Sequence, residues 1–121
     1  MKKSVLFALL VLSALVATAQ VRPYPTVADA EKFKSSETCV VMESNQISFY
    51  NAEIKNAVNQ YWKVTPVKFI TESEFNLTRT DPSWSFIVLT ITNFSNDKSG
   101  SAYDFLNLLL GADVENLDEL P

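Results

Sequence analysis

Three glutamates stand where acid–base chemistry could be organised. Glu43 ends one short apolar run, and Glu72 and Glu74 follow another. If the two runs are parallel strands, the three carboxylates meet at a carboxyl edge, where α/β sheets usually bind ligands. A facing pair of carboxylates could act as acid and base in glycoside cleavage at suitable separation. The competing reading is structural. Strand-end glutamates are commonly solvated, and Thr71-Glu72-Ser73-Glu74 has the S/T-x-x-E spacing of a capping box, which already employs Glu74. Nothing in the sequence specifies a raised pKa for any of the three, so a carboxylate-dependent glycan hydrolase is the minor expectation.

Other chemistry is excluded more firmly. The chain of 121 residues has no histidine, one cysteine and two glycines. Imidazole triads and zinc cages are therefore absent, as are internal disulfides and thiolate clusters. Gly100 and Gly111 are too far apart for a phosphate-cradling loop. No metal site or cofactor is expected. Cys39 lies in an apolar run and reads as a small buried hydrophobe, since no local base would activate it. The aromatic residues mostly occupy positions suited to a core. Trp62 and Trp84, at the ends of expected elements, are the candidates for contact with a sugar ring or a protein. Asn76-Leu77-Thr78 and Asn93-Phe94-Ser95 match the glycosylation triplet, which matters only in a host that modifies it.

The elements that must position these groups follow from periodicity. Val21-Arg22-Pro23-Tyr24-Pro25 reads as an extended leader. Thr26, with Asp29 three residues on, predicts a capped short helix to about Lys34. Thr38 to Met42 is a continuous β-branched run, the pattern of a strand covered on both faces. Ser44-Asn45-Gln46 reads as a turn and capping cluster. From Ile47 to Lys63 the apolar residues Ile47, Tyr50, Ile54, Ala57, Val58 and Tyr61 recur at helical spacing, and Pro66 forbids continuation. Val67 to Thr71 is a second strand, followed by a turn of helix through Phe75 and a loop from Asn76 to Ser83. Trp84 to Thr92 and Tyr103 to Leu110 are two more strands, joined by the polar stretch around Ser95-Asn96-Asp97-Lys98-Ser99-Gly100. The expectation is a single small α/β (α+β) domain. Its elements run β-α-β-β-β, and the later strands are antiparallel. One long amphipathic helix packs on one face of a mixed sheet of about four strands.

The first residues, MKKSVLFALLVLSALVATAQ, combine Lys2 and Lys3, an apolar run from Val5 to Val16, and small residues at Ala17 and Ala19. This is the pattern of a secretory signal cleaved between Ala19 and Gln20. About a dozen apolar residues fall short of the ~20 that span a bilayer. No cysteine follows the junction, so a lipoprotein is not expected. The chain thus divides into a signal at 1–19, a leader and short helix at 20–37, and an α/β domain at 38–121. Asn116 to Pro121 reads like a connection into a further element; a bare domain end is the commoner reading, and a fragment or subunit of a larger exported protein is the alternative. Formal net charge is −4, and loss of Lys2 and Lys3 makes the remainder more acidic still. Such a chain suits neither nucleic acid nor anionic lipid, which require clustered Lys and Arg.

Taken together, Thr38-Cys39-Val40-Val41-Met42-Glu43, the stretch from Tyr50 to Trp62, Val67 to Thr71 and the signal ending Ala-Thr-Ala-Gln resemble small, uncharacterised exported α/β proteins of Gram-negative bacteria. The resemblance rests on pattern and has no diagnostic motif. The element order is also similar to the N-terminal domains of some periplasmic assembly proteins, a likeness of topology that transfers no functional residue. The expected role is a soluble, non-enzymatic module, periplasmic or extracellular, that binds an envelope or extracellular protein. It keeps no stable membrane anchor after cleavage.

Overall fold

A computed structural model describes residues 24–45 and 47–116. The expected signal with its Ala19–Gln20 junction, and the end of the expected C-terminal connection, lie outside them. Among the described residues the order is α1 (Val27–Ser35), β1 (Glu37–Met42), α2 (Phe49–Tyr61), β2 (Val67–Thr71), α3 (Glu72–Thr78), β3 (Trp84–Asn93) and β4 (Ala102–Leu110). Thr26 and Asp29 cap α1 reciprocally. The Asp29 N–H donates to the Thr26 hydroxyl at 3.2 Å, and the Thr26 N–H donates to the Asp29 carboxylate at 2.8 Å. No described helix is long and apolar enough to cross a membrane.

The sheet is mixed, with spatial order β2-β1-β3-β4. β1 runs parallel to both β2 and β3, and only β3 and β4 are antiparallel. Two parts of the sequence-based expectation are thereby corrected. Among the described residues there are three helices and not one long helix, and the third strand does not fold back against the second. The capping box at Thr71 explains the third helix and the direction of β3. Thr71 and Glu74 start a helix that runs to Thr78, and this helix with the loop after it returns the chain to the amino edge. β3 therefore enters parallel to β1, on the side away from β2.

Helices consequently cover both faces. On one face, Ile54 and Val58 of α2 pack on Val40 and Ile87, with Met42, Val67, Phe69 and Trp62 around them. On the other, Phe75 of α3 packs with Cys39, Val41, Ile70, Phe86 and Val88. The Phe75 and Phe86 rings meet edge-on at 5.0 Å. β1 lies between the two layers, and its apolar run without alternation is buried on both sides.

The buried stripe of α2 differs from the expected one. Ile47 and Tyr61 are exposed, and the inward line runs Asn51, Ile54, Val58, Trp62. A polar residue leads that line because it closes the loop before the helix. The Asn51 amide accepts from the Glu43 N–H at 2.9 Å and donates to the Glu43 and Asn45 carbonyls, each at 3.0 Å. The helix cap is Ser48, not the Ser44-Asn45-Gln46 cluster.

A chain of hydroxyls joins the layers at the amino end of the sheet. Trp62 Nε1–H donates to Thr65 Oγ1 at 3.0 Å, and Thr65 bonds Thr38. Thr38 bonds Ser85 at 2.8 Å, Ser85 bonds Ser36 at 2.8 Å, and Ser36 donates to the Phe33 carbonyl at 2.8 Å. The Ser36 hydroxyl donates to Ser85 and shares that proton with the Phe33 carbonyl. Each of these hydroxyls has at least two partners, and Ser36, Thr38, Thr65 and Ser85 are all buried.

The last described segment is held by close approach and by an arginine. A Cβ on Gly111 would lie 2.0 Å from the Asp81 carbonyl oxygen, so only glycine fits there. Arg79 Nη1 and Nη2 donate to the carbonyls of Val114 and Glu115 at 2.9 and 2.8 Å.

Ser85→Ala removes the middle of the hydroxyl chain and takes one buried hydrogen-bond partner from each of Thr38 and Ser36. Urea unfolding is expected to show a loss of about 1–3 kcal/mol. Ser95→Ala, on an exposed loop, is expected to change stability by less than about 0.5 kcal/mol.

Candidate functional site

β1 and β2 end side by side, at Met42 and Thr71, and each is followed by a helix start. Between those ends lies a cleft of about 630 Å³, lined by Glu43, Asn51, Lys55, Glu72 and Ser73 among others. Asn51 sets the position of Glu43 through the two bonds to its backbone, and the Ser48 hydroxyl donates to the Glu43 carboxylate. Glu72 reaches the same cleft from the first turn of α3. The structure therefore brings Glu43 and Glu72 together.

Glu74 is committed elsewhere. Its carboxylate accepts from the Thr71 N–H at 2.8 Å and the Thr71 hydroxyl at 2.9 Å. These bonds, the backbone one first, hold its carboxyl below the usual glutamate range, so it is ill suited to give up a proton as an acid. The Tyr50 hydroxyl, at the start of α2, is buried and has no hydrogen-bond partner among the described residues. Burial, and then the charge of Glu43, push its pKa up. A cleft with a cation, an amide and two carboxylates can hold a small polar molecule. Among the described residues no group of histidine, cysteine and acidic side chains could hold a metal ion.

The two tryptophans lie at the opposite end of the sheet from these carboxylates, and on opposite faces of it. Trp62 is half-buried against the α2 layer, with its N–H on Thr65 and its ring edge-on to Phe33 at 6.2 Å. Trp84 is half-buried against the α3 layer, and Lys68 Nζ sits 3.5 Å from its ring centroid. Neither joins the cleft. Cys39 is 1% exposed in the middle of β1, and burial pushes its pKa up to about 11.

A second surface is built by the β3–β4 hairpin. β2 and β4 form the two edges of the sheet, and they differ in kind. β2 has five residues, follows Pro66 and carries Lys68, features that discourage pairing with another strand. β4 has nine residues, no proline and no basic side chain, and pairs with β3 without a bulge from Ser85↔Leu110 to Asn93↔Ala102. Large apolar side chains stand out on both faces of this hairpin. Ile91, Leu106 and Leu108 are 67%, 56% and 48% exposed on the α2 side. On the α3 side, Phe94 lies 5.4 Å from Tyr103 and 6.3 Å from Phe105, centroid to centroid. The Tyr103 hydroxyl donates to Asp97 at 2.7 Å. Sequence reasoning placed β4 as a strand but attached no function to it. The available signal was the run Leu106-Asn107-Leu108-Leu109-Leu110, which is more apolar than a strand covered on one face requires.

The buried thiol carries a direct test. Far below about 11 the thiolate fraction is negligible. Iodoacetamide at pH 8 is expected to leave the folded chain unmodified and to alkylate Cys39 rapidly once denaturant is added, as read by mass spectrometry. No family model, curated protein or solved structure matches the chain, so its function is argued from the arrangement of its own residues.

Proposed function

We propose that this chain is an exported, non-enzymatic module that binds a protein through the outer edge of β4 and the apolar side chains beside it. The observation that carries this reading is the contrast between the two sheet edges. A nine-residue strand flanked by exposed leucines and aromatics presents backbone N–H and C=O groups that another strand can pair. The acidic composition and the signal pattern at 1–19 favour a partner in the envelope or outside the cell. The burial of Cys39 and the engagement of Glu74 argue against nucleophilic or carboxylate catalysis by those groups.

The test uses the chain from Gln20 onward, which contains every described element. Immobilised, it is expected to capture and crosslink a defined envelope protein, and Leu106→Lys with Leu108→Lys is expected to abolish that capture. Both positions are exposed, so the melting temperature should hold. Capture that survives the double variant removes the β4 edge as the binding surface, as does a chain that neither captures a partner nor associates with itself.

The shared cleft supports a second reading, a carboxylate-dependent hydrolase acting on glycans through Glu43 and Glu72. Under the leading reading a broad glycan panel shows no turnover. Turnover abolished separately by Glu43→Gln and by Glu72→Gln would establish the hydrolase instead.

A further inference from the structure

We infer that the partner of the β4 edge is a second copy of this chain. Two β4 strands would pair antiparallel about a two-fold axis at Asn107 and extend the sheet from four strands to eight. The inference rests on the reading of β4 as the binding edge and adds the identity of its occupant.

Backbone geometry comes first. The Gly111 N–H bonds the Trp84 carbonyl at 2.9 Å, continuing the ladder in which Ser85 faces Leu110. Antiparallel ladders alternate, so the odd-numbered residues of β4 direct their N–H and C=O groups to β3. The even-numbered residues, Asp104, Leu106 and Leu108 among them, direct theirs outward. Two such edges can bond each other only if even residues face even residues. That condition also keeps each side chain on its own face of the sheet.

Within that condition the side chains select a register. With Asn107 on the axis, Leu106 faces Leu108 of the second copy, and Leu108 faces its Leu106. Four half-exposed leucines then close into one cluster on the α2 side. On the α3 side, Phe105 faces Leu109 of the second copy and Asn107 faces Asn107. A shift of the axis to Leu106 would instead set Asp104 against Leu108 and Phe105 against Asn107, with poorer pairing on both faces. Isologous pairing of this kind is the commonest route to a closed dimer.

Charge agrees with the same arrangement. Asp104 is the sole charged residue of β4. The axis at Asn107 places it opposite Leu110 of the second copy, far from the other Asp104. The hairpin loop with exposed Lys98 then lies beside the end of the other β4, where Asp113 and Glu115 are exposed. Seven residues of ladder extend about 24 Å. With side chains on both faces the union buries on the order of 1,000 Å² in total, near the lower bound of specific interfaces. The dimer is therefore concentration-dependent.

Sedimentation equilibrium on the chain from Gln20 onward is expected to show a monomer–dimer equilibrium, with Leu106→Lys weakening it by about tenfold or more. Circular dichroism of that variant should match the parent. Asn107→Cys is expected to give a disulfide-linked dimer under mild oxidation. Facing residues at a non-hydrogen-bonded position lie about 4.5 Å apart, within disulfide reach, and Cys39 is buried. Leu106→Cys should crosslink far less. A dimer indifferent to Leu106→Lys, or crosslinking by Leu106→Cys in preference to Asn107→Cys, overturns the pairing. A chain that stays monomeric yet captures another protein through β4 overturns the second copy while leaving the binding reading intact. A monomer that captures nothing removes both.

Discussion

The hydroxyl chain from the Trp62 indole to the Phe33 carbonyl is the constraint on which the rest of this fold depends. It crosses the loop before β2, the first turn of β1, the start of β3 and the end of α1. These segments come from distant parts of the chain, and each must arrive in register for the donors and acceptors to match. A single slip would leave buried oxygens unpaired, at a cost comparable to a large part of a small domain's stability. Thr38 aligned with Ser85 fixes the β1–β3 pairing, and Thr38 with Thr65 fixes the approach to β2.

With the amino end so tied, the carboxyl end is free to differ. There β1 opens into a loop that Asn51 holds in shape, β2 passes directly into α3 through the Thr71–Glu74 box, and the cleft with Glu43 and Glu72 results. The two helix layers stop short of the β3–β4 hairpin. Its far half has apolar residues on both faces and lacks the cover that α2 and α3 give to β1. A sheet built around one doubly covered strand thus ends in one guarded edge and one open edge. The open edge is the feature that bears on binding.

Much of this was legible from local pattern. The runs at Thr38–Met42, Val67–Thr71, Trp84–Thr92 and Tyr103–Leu110 announce four strands, and Thr26 with Asp29 announces α1, because period and capping are properties of neighbouring residues. The capping box at Thr71 was visible too, but the length of α3 was not. Its continuation through Thr78 depends on Phe75 finding Phe86 across the sheet. The burial of Asn51 was equally hidden, since an amide in a helix reads as solvent-facing until the loop it closes is known. Trp62 and Trp84 stood out for their type, and only packing shows one held by Thr65 and Phe33 and the other beneath Lys68.

By itself the sequence determined which chemistries are missing, where most elements lie and that the chain is acidic, because these follow from composition and short-range periodicity. Tertiary structure alone decided that β3 runs parallel to β1, that Glu43 and Glu72 share a cleft while Glu74 does not act with them, and that the far half of β4 stays exposed among the described residues. Each of those outcomes depends on contacts between residues far apart in the chain. Such contacts are settled by matching buried hydroxyls and apolar faces in three dimensions, and no window of neighbouring residues contains them.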